Sequence, residues 1–381
     1  MRLEVRPVTS RRERQIFLTF PWCIYKNDPL WVPPLLPQRA SRLDPAKNPV
    51  ISGGAVQPFI AWRGDEPVGT IVGAVDAERN AAWEENNAIF GLFECIEDYS
   101  VAEALFDTVA AWARQQGKPR LWGPWPLDYE DSHGFLVKGW DRRPVVMCAH
   151  NPPYYPEFAE RYGMKKARRD SLAFAYDTTT HDPSQVMPEK LQRVAEKVRR
   201  RGGITIRPAN FDRWDEEIEV ALDVLNRGLA VLGETRGFWS AARLSALGKA
   251  LRPVLDPELI LFAEVDGKTV GWVMGLPDLN EAIAAANGLR YPWNAVQFWL
   301  ALRRRPACVS MKSIAVDPDY WNRGIDALLI YDFSRNALEK GFKWGDFSLT
   351  GEDNPMTPRI VTHLGGHEYK RYRIYDLTGL I

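Results

Sequence analysis

Two stretches of this chain carry the same hairpin pattern. Phe59 to Ala74 (Phe-Ile-Ala-Trp-Arg-Gly-Asp-Glu-Pro-Val-Gly-Thr-Ile-Val-Gly-Ala) sets two apolar runs around a polar turn, and Ile260 to Gly275 repeats the arrangement around Glu264-Val265-Asp266-Gly267-Lys268. Val68-Gly69 recurs 202 positions later as Val270-Gly271, Gly163 recurs at the same offset as Gly365, and Asn151 recurs 203 positions later as Asn354. The helix-ending glycines Gly117 and Gly341 are 224 apart, so insertions compensate elsewhere, which surface loops tolerate. Nearly constant offsets imply two divergent copies of one α/β unit. With 381 residues, the chain exceeds the ~250–300 at which one core usually stops growing. The expected organisation is therefore a first unit over 1–180 and a second over 181–381. The polar, proline-bearing stretch from Asp177 to Pro188 suits a linker between them.

The second copy holds the stronger chemical signal. Ile314 to Leu329 reads Ile-Ala-Val-Asp-Pro-Asp-Tyr-Trp-Asn-Arg-Gly-Ile-Asp-Ala-Leu-Leu: a short apolar strand, a tight Arg-Gly turn, then a helix. Pro318 cannot donate to a ladder, so the strand is expected to end or splay there. Gly324 lets backbone amides approach a ligand, and the helix from Ala327 onward turns its orphan amides and dipole towards an anion such as pyrophosphate. The helix runs on through Tyr331 to Lys340 and stops at Gly341. Lys343 to Leu349 reads as a strand closed by Glu352-Asp353-Asn354, and Tyr372 to Leu377 as a last strand.

This order resembles the GNAT superfamily of acyl-CoA-dependent N-acyltransferases, and the Glu-Asp-Asn run, the Arg-Gly-Ile-Asp turn and the terminal Tyr-Arg-Ile-Tyr resemble a little-characterised bacterial branch of it. The resemblance implies an α/β fold with two GNAT-like domains, each a mixed, mostly antiparallel twisted sheet flanked by helices. It implies acyl-CoA, acetyl or longer, as co-substrate, with no metal. Pantetheine would lie along Ile314, Ala315 and Val316, pyrophosphate on Arg323, Gly324, Ile325, Asp326 and Ala327, and Asn354 near the cofactor. The chain departs from the family's turn at its outer positions, which are Trp321 and Asp326, and from its frequent general-acid tyrosine, which is Val361 here. An aspartate beside pyrophosphate repels it unless it caps the helix and faces away.

The first copy lacks the cradle. Glu94, Glu97 and Asp98 precede the Val101 to Gln116 helix, where they favour a helix start and repel phosphate, and Asp98 or Ser100 suits its N-cap. Between the copies, Glu189 to Arg201 reads as a helix with Leu191, Val194 and Val198 on one face and Lys190, Arg193, Lys197, Arg199, Arg200 and Arg201 on the rest. This is a solvated face, or a basic contact for an acidic cofactor group or a membrane surface.

Acyl transfer needs a deprotonated amine, a polarised carbonyl and a protonated leaving thiolate. Glu352, Asp353 or Asp278 is the candidate base, Tyr375 or Tyr372 the candidate acid, and a strand amide near Ala315 or Val316 the polarising donor. Two inserted regions suggest the acceptor pocket. The Trp122 to Pro126 loop leads past Asp128, Glu130, Asp131 and His133 to Tyr154 and Tyr155, and Asp278 and Asn280 follow a strand directly. Asp278 and Asn280 read equally as a turn held by side-chain hydrogen bonds. Trp293, Phe298 and Trp299 fall in a further insertion, as an acyl groove or as packing, and Leu300-Ala301-Leu302 before Arg303-Arg304-Arg305 reads as an amphipathic lid with a basic end.

Lys plus Arg equals 49, as does Asp plus Glu, so no bulk field draws the chain to nucleic acid. No apolar run reaches the ~18–20 residues of a membrane span, and no signal-peptide core is present. Cys23, Cys95, Cys148 and Cys308 stand singly, without metal or disulfide spacing, which suits a reducing cytoplasm. His133 and His150 have no metal-ligand partner spacing. The expectation is a cytoplasmic N-acyltransferase acting on a small-molecule or lipid-like amine. The alternative is a catalytically inactive acyl-CoA-binding or structural protein of the same fold. The sequence does not set the oligomeric state.

Overall fold

A computed structural model describes the chain apart from residues 1, 128–132, 179–186, 232–244, 246–247, 249–250, 253, 355 and 364. Most of the expected linker, and the loop carboxylates Asp128, Glu130 and Asp131, lie outside the described residues. Two sheets organise the molecule. The first runs in the order β1 (Leu3–Pro7), β2 (Val56–Arg63), β3 (Glu66–Ala74), β4 (Asn87–Cys95), β5 (Arg120–Gly123), β15 (Tyr375–Thr378) and β7 (Lys165–Lys166). The second runs in the order β6 (Phe135–Lys138), β14 (His367–Arg373), β8 (Ser171–Asp177), β13 (Trp344–Gly351), β12 (Cys308–Val316), β11 (Lys268–Pro277), β10 (Ile260–Val265) and β9 (Thr205–Pro208).

The repeat is realised strand for strand. Hairpins β2–β3 and β10–β11 are antiparallel, and β4 and β12 add to them in the same register, so Gly69 lies opposite Cys95 as Gly271 lies opposite Val316. Each sheet then has one parallel pair, β4–β5 and β12–β13, and is otherwise antiparallel.

The strands do not follow the division of the sequence. β6 and β8, from the first half, complete the second sheet, while β15, from the last residues, lies in the first sheet between β5 and β7. The run expected as one strand over Tyr372 to Leu377 is two strands. They break at Ile374 and belong to different sheets. Exchanged strands give the halves a shared hydrogen-bonded frame.

Helix Tyr99–Gln115 covers the first sheet through Val101, Leu105, Phe106 and Val109, all fully buried. Helix Ile325–Glu339, here the cradle helix, does the same for the second through Ile325, Leu329 and Phe333. Helix Glu189–Arg201, the basic helix, packs Ala195 and Val198 on the cradle helix. On the opposite face of the second sheet, helix Trp214–Val231 accepts the Trp272 indole N–H at the carbonyl of Ala221, 2.9 Å away.

Candidate functional site: a splayed strand pair over a buried polar cluster

β12 and β13 pair over three positions, ending at Ser310 opposite Asp346, and then diverge. The divergence begins well before Pro318, and bulges cause it. Met311 and Ser313 take consecutive partners on β11, which leaves Lys312 as an extra residue of β12. β13 likewise fits two residues, Ser348 and Leu349, where β8 has Ala173. A bulge bends its strand and re-aims side chains, and here both strands bend just past their last shared pair.

Beyond Lys312 the far edge of β12 pairs with no strand among the described residues. Groups of an antiparallel strand alternate between its two neighbours. Val316 turns its carbonyl away from β11, to the Trp321 indole N–H at 2.7 Å, so the amides of Ile314 and Val316 face the gap and that of Ala315 faces β11. Trp321 thus occupies one acceptor of this edge.

The turn follows. Asp317 caps a short 3-10 turn, Asn322 and Gly324 take positive φ of 62° and 79°, and the cradle helix starts at Ile325, two residues earlier than expected. Its first ladder bond runs from Leu328 N–H to the Gly324 carbonyl at 3.0 Å, so the amides of Ile325, Asp326 and Ala327 are the orphan first turn. Asp326 makes no capping hydrogen bond. Gly324 is required twice over. Its φ is left-handed, and a Cβ there would stand 2.7 Å from Val198 Cγ2 of the basic helix. Lys197 and Arg201 share the helical stripe of Val194 and Val198 and are exposed beside this turn.

At the root of the gap, on the face away from the cradle helix, lies a buried polar cluster. Asp346 is fully buried and accepts from Ser310, from Ser348 at 2.6 Å and from the Tyr369 hydroxyl at 2.7 Å. Lys312 Nζ donates to Ser348 at 3.1 Å and lies 3.9 Å from Asp346. The 144–148 segment roofs the cluster. Val146 N–H donates to Asp278 at 2.8 Å, Asn280 donates to the Pro144 carbonyl at 2.8 Å, and the Cys148 thiol meets Ser348 at 3.4 Å. Burial pushes the Asp278 carboxyl up to about 6, against the hydrogen bonds from Asn280 and Val146 and the nearby Lys312 charge. A carboxyl so placed changes ionisation close to neutral pH. Asp278 and Asn280 are a turn and a buried cluster at once.

The other expected residues are elsewhere. Glu352 is held by Lys166, by Arg371 and by the Asp170 amide, chiefly through the Lys166 hydrogen bond, and its pKa is lowered, which weakens it as a base. Asp353 makes a two-point contact with Arg169, both distances 2.9 Å. Tyr375 lies in the first sheet, where its hydroxyl donates to Glu160 at 2.8 Å. Tyr154 donates to the Cys95 carbonyl at 2.9 Å, also in the first half. Tyr372 does reach the cluster, fully buried, its pKa raised by burial and then by Cys148 and Asp346. Asn354 closes β13 by donating to Thr350 at 3.2 Å. Val361 packs in a core patch with Leu172 and Phe174. Sequence reading missed Ser310, Lys312, Asp346, Ser348 and Tyr369. Two polar residues alternating on each of two apolar strands were the available signal.

Trp122 and Trp125 are buried in the first sheet's core. Trp293 and Trp299 neither line a groove nor pack inside; both are more than half exposed. A shallow apolar groove instead opens on the cradle-helix face, lined by Leu191, Val309, Phe333, Ala337, Trp344 and Phe347. Among the described residues no three His, Cys, Asp or Glu side chains converge as a metal site would require. His150 pairs with Asp28 at 2.6 Å.

The two splayed, helix-covered sheets have the GNAT fold in tandem. A solved tandem GNAT protein from the clavulanic acid biosynthesis pathway matches 99% of both chains at a TM-score of 0.58 and 13% identity. No protein-family model matches the chain. Over 98% of its length the chain is 29% identical to the bacterial ceramide synthase of Caulobacter vibrioides, covering 97% of that protein, and 28% identical to protein YghO of Escherichia coli, covering 94% of it.

Proposed function

We propose that the chain transfers a long-chain acyl group from acyl-CoA to the amine of a lipid-like amino alcohol, forming an amide and free CoA. The open backbone edge of β12, ending at an anion-receptive helix start, carries this reading. Pantetheine adds to the edge as a partial strand on Ile314 and Val316, and the pyrophosphate rests on the amides of Ile325, Asp326 and Ala327, with Lys197, Arg201 and Arg323 offsetting Asp326. The thioester carbonyl then meets an amide of β12 near the root of the gap, where developing negative charge is stabilised. Asp278 accepts the proton of the attacking amine, and Lys312, oriented by Ser348 and Asp346, faces the leaving thiolate. The apolar groove beside Phe347 receives the acyl chain. Similarity to a ceramide synthase over nearly the whole chain supports a long acyl donor and an amino-lipid acceptor.

Release of CoA thiol tests this directly. Wild-type protein given palmitoyl-CoA and sphinganine is expected to release CoA together with an N-acyl product, faster than with acetyl-CoA. Thioester binding without release on adding any amine would overturn the reading in favour of an acyl-CoA-binding protein, to which the Trp321 contact with Val316 and the buried Val361 already lend an argument.

A further inference from the structure

Helix Pro292–Leu302 lies between the end of β11 at Pro277 and the start of β12 at Cys308. It packs back on helix Asn280–Ala286 and is anchored by buried Asn294, which accepts from the Tyr291 amide at 3.0 Å. Its outward side is apolar. Trp293 and Val296 are each 58% exposed, Trp299 51% and Leu300 49%, with Tyr291 and Leu302 flanking them. Positions 293, 296 and 300 form one stripe, and 299 lies beside it. Soluble faces seldom leave two tryptophans and aliphatic neighbours together in water.

The charge within this segment has one sign, with Glu281 of the neighbouring helix just outside it and bonded to the Ala307 amide. From Ala282 to Ala307 there is no Asp or Glu, while Arg290, Arg303, Arg304 and Arg305 bracket the helix. Arg303 lies 3.5 Å above the Trp299 ring, and Tyr291 stacks on Trp293 at 4.6 Å. Aromatic rings beside arginines suit the headgroup boundary of a bilayer, where rings enter the apolar layer and guanidinium groups stay with anionic lipid. Among the described residues no helix is long and apolar enough to cross a membrane.

We propose that helix Pro292–Leu302, with Arg290, Arg303 and Arg304, docks the protein on an anionic membrane surface. Its position adds a consequence. The helix stands at the end of β12 where Asp278 lies, whereas the turn before the cradle helix stands at the other end of this nine-residue strand, about 30 Å away. A membrane amine would then arrive from one end of the strand and a water-soluble thioester from the other. Docking goes beyond the acyl-transfer reading and does not depend on it.

Co-sedimentation of the full chain with phosphatidylcholine vesicles, with and without phosphatidylglycerol, tests the docking without any thioester or amine. Binding is expected with phosphatidylglycerol, weakening as salt rises. Val296→Ser combined with Trp299→Ser, and separately Arg303→Gln combined with Arg304→Gln, should each lower partitioning about tenfold or more. These side chains are exposed, so thermal unfolding should match wild type. The proposal is overturned if wild type stays in the supernatant. Variants that partition like wild type overturn it too, including any that change only the sedimentation coefficient of the lipid-free protein, which would make this face a contact between copies of the chain.

Discussion

The two sheets open the same gap and treat it oppositely. β4 and β5, like β12 and β13, pair over three positions and then part. In the first sheet the chain fills the opening itself. The Trp125 amide donates to the Phe90 carbonyl at 2.8 Å, the Cys95 amide donates to the Tyr155 hydroxyl at 2.8 Å, and the Cys95 carbonyl takes Tyr154. Tyr155 in turn donates to Glu94, whose carboxyl burial pushes up to about 7. Asp98 then caps the helix by accepting from the Ser100 amide at 3.0 Å and pairs with Arg63 at 2.6 Å, so a carboxylate occupies the place where an anion would bind. At the equivalent strand position of the second sheet, Val316 meets a single indole, and Gly324 replaces a charged cap. Backbone groups left by a splay must find partners. One copy supplies them from its own tyrosines; in the other, most find no partner among the described residues.

The strongest test of this contrast is Asp278→Asn in the open copy. Asparagine still accepts from the Val146 and Asn280 amides, so the fold should hold while CoA release falls by about two to four orders of magnitude. Wild-type kcat/KM should rise as pH passes about 6, a step that the variant lacks. The stability sign is opposite. A carboxyl whose pKa is raised by folding favours the folded state below about pH 4, and that contribution is lost as pH rises through about 6. Chemical unfolding at pH 7 should therefore show the variant equal to wild type or up to about 3 kcal/mol more stable. A variant that loses stability at pH 7 would make Asp278 a structural residue.

In the closed copy, Tyr155→Ala should cost about 3–5 kcal/mol, because it empties a fully buried site and strands the Cys95 amide. Thioester binding should be untouched, which calorimetry with palmitoyl-CoA would check. Loss of binding would place the cofactor in the first sheet. Smaller again is Gly324→Ala, expected to cost about 1–2 kcal/mol for the left-handed backbone alone, with part of any excess recovered by Val198→Ala, which removes the facing methyl. The smallest effect is on charge. Lys197→Glu with Arg201→Glu should weaken palmitoyl-CoA binding about three- to tenfold at low salt, and less at high salt.

Parts of this contrast were legible in the residues. Val68-Gly69 and Val270-Gly271 announced two hairpins, Asp98 announced a cap, and Gly341 ended its helix in the left-handed conformation, with φ of 81°. Each depends on neighbours in sequence. The cluster at the root of the open gap left only the alternation of Ser310 with Lys312 and of Asp346 with Ser348 as a sign; the bulge that re-aims Lys312 appears as register between strands, not as a local pattern. Glu352, Asp353 and Tyr375 read as chemistry because nothing local reveals that Lys166, Arg169 and Glu160 meet them.

The sequence by itself determined that one α/β unit occurs twice, that the second copy sets a glycine turn before its helix, and that the first places carboxylates there. Apolar periodicity, turn residues and caps act over a few residues, so they are written in order along the chain. Tertiary structure alone decided that β6 and β8 join the second sheet and β15 the first, that the gap at Cys95 is sealed and the gap at Val316 open, and that the helix at Trp293 faces outward. Those outcomes depend on which unpaired backbone groups and apolar faces meet across long separations, and the chain resolves them only when every such group competes for a partner at once.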